Sequence, residues 1–155
     1  MKKALAVLFA AAAIVLCGCS QDLRDDLDAR DVADAVDAVM PGLAEMSEAY
    51  LKGAMKLDTE LFASYSVRIN ASGTSIDEYG VFKAATPGGT EAAVKAVEAY
   101  LQLRKDSWMP EYMPQERPKL DSASVRSFGR YVMYVIASDD VRDAAFASAE
   151  ASLKK

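Results

Sequence analysis

The block Tyr131-Val132-Met133-Tyr134-Val135-Ile136 constrains this chain more than any other stretch. It is apolar throughout. That predicts a central strand buried on both faces, at least at its middle. Gly129-Arg130 immediately before it fits a two-residue hairpin turn with glycine first. The run from Ala123 to Phe128 then becomes its antiparallel partner.

A second hairpin lies upstream. Tyr65, Val67 and Ile69 alternate with Ser64, Ser66, Arg68 and Asn70. Period-two alternation means a strand with one wet face. Ser72 to Ser75 is a turn, and Tyr79 to Ala84 returns as a strand that Pro87-Gly88-Gly89 ends. Each hairpin runs into a helix. Thr90 is placed to cap one from Glu91 to about Ser107, with Val94, Val97, Leu101 and Trp108 on its buried stripe. Ser138 caps another from Asp139 to about Leu153, with Val141, Ala145, Phe146 and Ala149 inward. Before the first hairpin, Val32, Val36, Val39 and Leu43 mark one face of a helix starting near Ala29. Pro41-Gly42 breaks or kinks it, and Met46 and Tyr50 continue its apolar face. The prolines at 110, 114 and 118 exclude helix and central strand between the two halves. The expected fold is therefore α+β, in the order α-β-β-α-β-β-α. Its simplest packing is an antiparallel four-stranded sheet with helices packed on one face. Ser64, Ser66, Arg68 and Asn70 would lie on the exposed face.

The chain begins with Lys2 and Lys3, followed by an apolar run from Ala4 to Leu16. That run is too short to span a bilayer, which takes about 20 residues, and suits a secretory leader. Leu16-Cys17-Gly18-Cys19 resembles the bacterial lipobox: an aliphatic residue, a tolerant position, a small residue and the cysteine to be lipidated. Cleavage before Cys19 gives three segments: a signal peptide over 1–18, an acidic tether over 19–28 and a single α+β domain over 29–155. A diacylglycerol thioether at Cys19 would bury two acyl chains, enough for stable anchoring. The expected location is the extracytoplasmic face of a cell membrane.

Loss of Lys2 and Lys3 shifts the formal charge from the −5 of the whole chain to −7. An acidic domain is repelled by nucleic acid, which is rejected as a partner. With no histidine among the 155 residues, Ser-His-Asp and Cys-His catalysis and histidine metal sites are unavailable to the fold. No catalytic residue, metal or cofactor is indicated. Asp77-Glu78 reads as a solvated strand start whose two carboxylates point to opposite faces. The Asp22 to Asp37 cluster fits no EF-hand frame and reads as an acidic spacer. Trp108 and Tyr112, with Arg104, Arg117 and Lys119 nearby, form the most suggestive constellation, because aromatics with arginine dominate binding hot spots. The competing reading is a crossover loop pinned to the core by Trp108 and Tyr112.

The lipobox, Asp77-Glu78-Tyr79-Gly80-Val81-Phe82-Lys83-Ala84, Tyr112-x-Pro114, Lys119-Leu120 and Gly129-Arg130-Tyr131-Val132 resemble a family of bacterial lipoproteins. It is the family bearing the domain of unknown function numbered 4358, found mainly in Bacillota. The resemblance covers nearly the whole of the expected mature chain. It implies a location and a domain type but no activity. Gly80 departs from the family's aliphatic or alanine residue, which points to a bulge there. The functional expectation is a non-catalytic binding or interaction module for an envelope protein or a small solute. The alternatives are a carboxylate-dependent cell-envelope enzyme and an envelope structural or assembly factor.

Overall fold

The computed structural model describes residues 22–155. The expected signal peptide and the lipidation residue Cys19 lie outside the described residues. The fold is mixed, with a single antiparallel sheet. Its helices are α1 (Ala29–Val36), α2 (Glu48–Gly53), α3 (Thr90–Asp106), α4 (Arg117–Asp121) and α5 (Asp139–Leu153). Its strands are β1 (Ala44–Glu45), β2 (Phe62–Ile69), β3 (Glu78–Ala84), β4 (Ser124–Phe128) and β5 (Tyr131–Ile136). The spatial order is β1-β2-β3-β5-β4.

Both hairpins form as the sequence indicates. In β2–β3, Ser66 pairs with Val81 and Ile69 with Glu78. In β4–β5, Phe128 pairs with Tyr131 across Gly129, whose φ of +60° is the left-handed conformation that favours glycine. Pairing of β3 with β5 joins the hairpins, for example Gly80 with Tyr134. All six residues of β5 are buried, as the apolar block requires.

The sheet has five strands, not four. The extra one, β1, is a two-residue edge whose Ala44 faces Ile69 and Glu45 faces Arg68. Two residues carry no periodicity, so nothing in the sequence marks it. The expected element order also gains two helices. The first, α2, is capped by the Ser47 side chain. The second, α4, forms inside the proline-rich segment, because Pro118 sits in its first turn, where no N–H is needed. Thr90 is the first residue of α3 rather than its cap. Its hydroxyl donates instead to the Gly129 carbonyl (3.3 Å).

Helices cover both faces of the sheet, not one. The odd-numbered residues of β5, with Tyr79 and Val81, pack against α1 and α5. The even-numbered residues, with Phe82 and Val67, pack against α2, α3 and α4. A strand apolar on both sides needs cover on both sides, so the β5 block dictates this three-layer arrangement.

The expected wet face of β2 is consequently buried. Ser66 is 1% exposed and Arg68 7%. Arg68 lies under α1 and pairs with Asp34 (2.6 Å) and Asp37. Tyr79 donates to Asp37 (2.7 Å), with the Ala33 carbonyl at 2.9 Å. The Ser64 hydroxyl accepts from the Ala29 N–H at the start of α1 (2.9 Å). Asp28 and Asp31 form a capping box there. Four aspartates of the acidic cluster therefore hold α1 in place.

The segment entering α1 lies along the domain. The Arg24 N–H donates to the Leu153 carbonyl (2.7 Å), and Tyr131 donates to the Leu27 carbonyl (2.8 Å). Arg130 pairs with Asp25 (3.2 Å).

Gly80 marks a close approach, not a bulge. A Cβ there would stand 2.5 Å from Cε1 of Tyr134 and 2.8 Å from Cε2 of Phe82. The irregularity of the hairpin falls elsewhere, between Phe62 and Ser64.

Candidate functional site

A cleft of about 250 Å³ opens where the β2–β3 turn meets the C-terminal end of α3. Three of the expected surface residues line it: Arg104, Trp108 and Tyr112. Tyr50, Asp77, Glu78 and Met109 also line it. Trp108 and Tyr112 meet edge to face, with ring centroids 6.3 Å apart. Met109 and Tyr112 are two of three large apolar side chains classed as exposed among the described residues, and both sit here.

Lys119 stands behind the cleft wall. Its ammonium bonds Asp77 (2.9 Å) and Glu116 (2.8 Å), and Glu116 also accepts from the Ile76 N–H (3.2 Å). These bonds tie the β2–β3 turn to α4. Arg117 is not part of the cleft; it pairs with Asp121 one turn along α4 (2.7 Å).

Glu78 is the residue that sequence reasoning missed. It is 2% exposed, not solvated. Strand alternation puts it on the face of Gly80 and Phe82, over α3. Its Oε1 accepts hydrogen bonds from Tyr100 and from Tyr134 (2.5 Å). Its Oε2 stands 3.3 Å from an Arg104 Nη. Burial, then the negative charge of Glu78, pushes both tyrosine hydroxyls far above their ordinary range. They therefore stay protonated and donate. A signal for this was present: Tyr100 and Arg104 are spaced i, i+4 on α3, and Glu78 shares its face with apolar residues.

Arg104 completes the floor. Burial alone would lower its pKa, but the negative charge of Glu78 raises it above the ordinary value. Its Nε is buried and has no hydrogen-bond partner. The site therefore combines a charged donor with spare capacity, carboxylates already engaged, and an aromatic rim. No group of three or more carboxylate, cysteine or histidine side chains able to hold a metal occurs among the described residues.

No curated protein and no solved structure matches the chain significantly. Residues 30–137, which span all five strands and four of the five helices, match the family model described as "Domain of unknown function (DUF4358)", and the chain belongs to that family.

Proposed function

We propose that this protein is a membrane-anchored extracytoplasmic lipoprotein that acts as a non-catalytic binding module through the Arg104–Trp108–Tyr112 cleft. The observation that carries the binding role is the partly exposed Arg104 side chain, whose one close charge contact, to Glu78, is long at 3.3 Å, beside the exposed Met109 and Tyr112. Sites of this kind, apolar walls with a few convergent polar groups, are how proteins hold small ligands. The carboxylates argue against an enzyme. Asp77 is bonded to Lys119, and Glu78 to two tyrosines and Arg104, so neither is free as a base or nucleophile.

The geometry suits display from a lipid on Cys19. The segment after that cysteine meets the domain at the Lys83 and Arg130 end of the sheet. The cleft lies at the Glu78 end of β3, about 17 Å from Lys83 at the usual rise per residue. A domain anchored by its entering segment would present the cleft away from the bilayer. Among the described residues, no helix is long and apolar enough to cross a membrane.

Two measurements test this reading. Mass spectrometry of the wild-type protein should find diacylglycerol on an N-terminal Cys19, and Cys19→Ser should leave the chain unprocessed or released. A wild-type chain without lipid would overturn the address. For the binding role, pools of small solutes and short peptides are screened by thermal shift against the wild-type protein and Tyr112→Ala. Stabilisation that Tyr112→Ala abolishes is expected; ligands that stabilise both proteins equally would remove the cleft from consideration.

A further inference from the structure

The hydrogen-bonding balance of the cleft names the chemistry of its ligand. Both acidic residues that line it are already engaged, as is Glu116 behind its wall. Asp77 and Glu116 share the Lys119 ammonium. Glu78 takes two tyrosine hydroxyls and faces Arg104. The cationic partners of Asp77 and Glu78 weaken their pull on a cationic ligand. Donor capacity is left over: the one close charge contact of the Arg104 guanidinium, from an Nη to Glu78, is long at 3.3 Å. A guanidinium presents five N–H groups in a planar fork that matches a carboxylate. The Arg104 side chain is about one-third exposed while its Nε is buried, so an approaching group reaches the guanidinium through its Nη nitrogens.

The walls set the rest of the ligand. Trp108, Tyr112 and Met109 offer flat, polarisable, apolar surface on the open side. The cleft is smaller than the roughly 300–1,000 Å³ typical of drug-sized ligands, so it admits a small molecule or one end of a longer one.

We infer that the cleft binds a carboxylate carried on an aromatic or other bulky apolar group, the carboxylate on Arg104 and the apolar group against Trp108 and Tyr112. This deepens the binding role proposed above and rests on it. The same chemistry is offered by a free aryl acid and by the C-terminal carboxylate of a peptide ending in an apolar residue.

Trp108 is the single tryptophan of the chain, so its fluorescence reports on the site directly. The full chain in detergent is titrated with four probes: phenylacetate, phenylacetamide, phenethylamine and an N-acetyl tripeptide ending in phenylalanine. Binding of phenylacetate at least tenfold tighter than the amide or the amine is expected, since hydrogen bonds to charged groups outweigh neutral ones. Tighter binding of the peptide than of phenylacetate identifies a chain terminus as the source; the reverse identifies a free acid. Arg104→Lys keeps a charge beside Glu78 but loses the fork, and should weaken the preferred acid at least tenfold with its circular dichroism unchanged. If amide or amine binds as well as the acid, the carboxylate assignment falls while the binding role stands. If no probe shifts Trp108 fluorescence up to about 10 mM, near the weakest affinities such small ligands show, the aryl-carboxylate assignment falls, and the thermal-shift screen alone decides the binding role. Arg104→Lys binding the acid as tightly as wild type would remove Arg104 as the recognising group.

Discussion

Replacing Gly80 by alanine tests the tight packing that seats the cleft floor. The new methyl would stand 2.5 Å from Cε1 of Tyr134, whereas ordinary contact begins near 3.4 Å. The ring must therefore yield by about 0.9 Å, the difference between these values. Tyr134 has little freedom to do so. It is fully buried, its hydroxyl is held on Glu78 at 2.5 Å, and its ring packs edge-on against Tyr100 at 5.4 Å. Phe82, stacked on the other side, closes the remaining direction. Overpacking of this kind costs about 1–3 kcal/mol. Loosening the Tyr134–Glu78 bond adds about 1 kcal/mol. Alanine recovers about 0.4–1 kcal/mol by restricting the unfolded chain. The net expectation is a loss of about 1–3 kcal/mol, or roughly 3–12 °C in melting temperature for a domain this size. Urea unfolding followed by circular dichroism measures it. Tyr134→Phe frees the ring from Glu78, so the double variant should lose less than the sum of the two single losses. Gly80→Ala as stable as wild type, or strictly additive with Tyr134→Phe, would refute the reasoning.

Three further outcomes follow from the buried polar groups. Glu78→Gln keeps the shape but makes the bonds from Tyr100 and Tyr134 neutral and removes the charge partner of Arg104; a loss of about 1–3 kcal/mol in urea unfolding is expected. Tyr79→Phe removes the donor to Asp37 under α1 and should cost about 1–2 kcal/mol, with faster amide exchange in α1. The alkaline limb is set by tyrosines. Tyr79, Tyr100 and Tyr134 are raised above the ordinary value, and burial, reinforced by Asp25 and Asp26, pushes Tyr131 up to about 12. An unfolded tyrosine loses its proton near pH 10, before the folded one does. Stability is then full below pH 10 and falls as pH rises beyond it, by at most about 1.4 kcal/mol per unit for each such tyrosine. Absorbance at about 295 nm should show these four phenols titrating together with unfolding; more than three of the chain's seven tyrosines forming phenolate at pH 10 in a protein that keeps its circular dichroism would contradict it.

Local signals carried much of the fold. Both hairpins, α3, α5 and the doubly buried β5 follow from alternation, helical spacing and turn glycines, which act over a few residues. Trp108, Tyr112 and Arg104 were legible as a cluster for the same reason: they lie within nine positions of one another around the end of one helix. Glu78 was not, because its environment comes from Tyr134 and Arg104, 56 and 26 positions away. A carboxylate after a turn looks solvated until the helix that covers it is in place.

The sequence by itself determined the family, the hairpin-then-helix repeats and a sheet with a fully apolar strand. Only the tertiary structure decided that helices cover both faces, that Arg68 and Glu78 are buried, and that Gly80 stands against a ring. Period and propensity record which residues prefer to face away from water. They do not record which distant element arrives to cover a polar residue, and a buried charge is stable only where that element brings its partner.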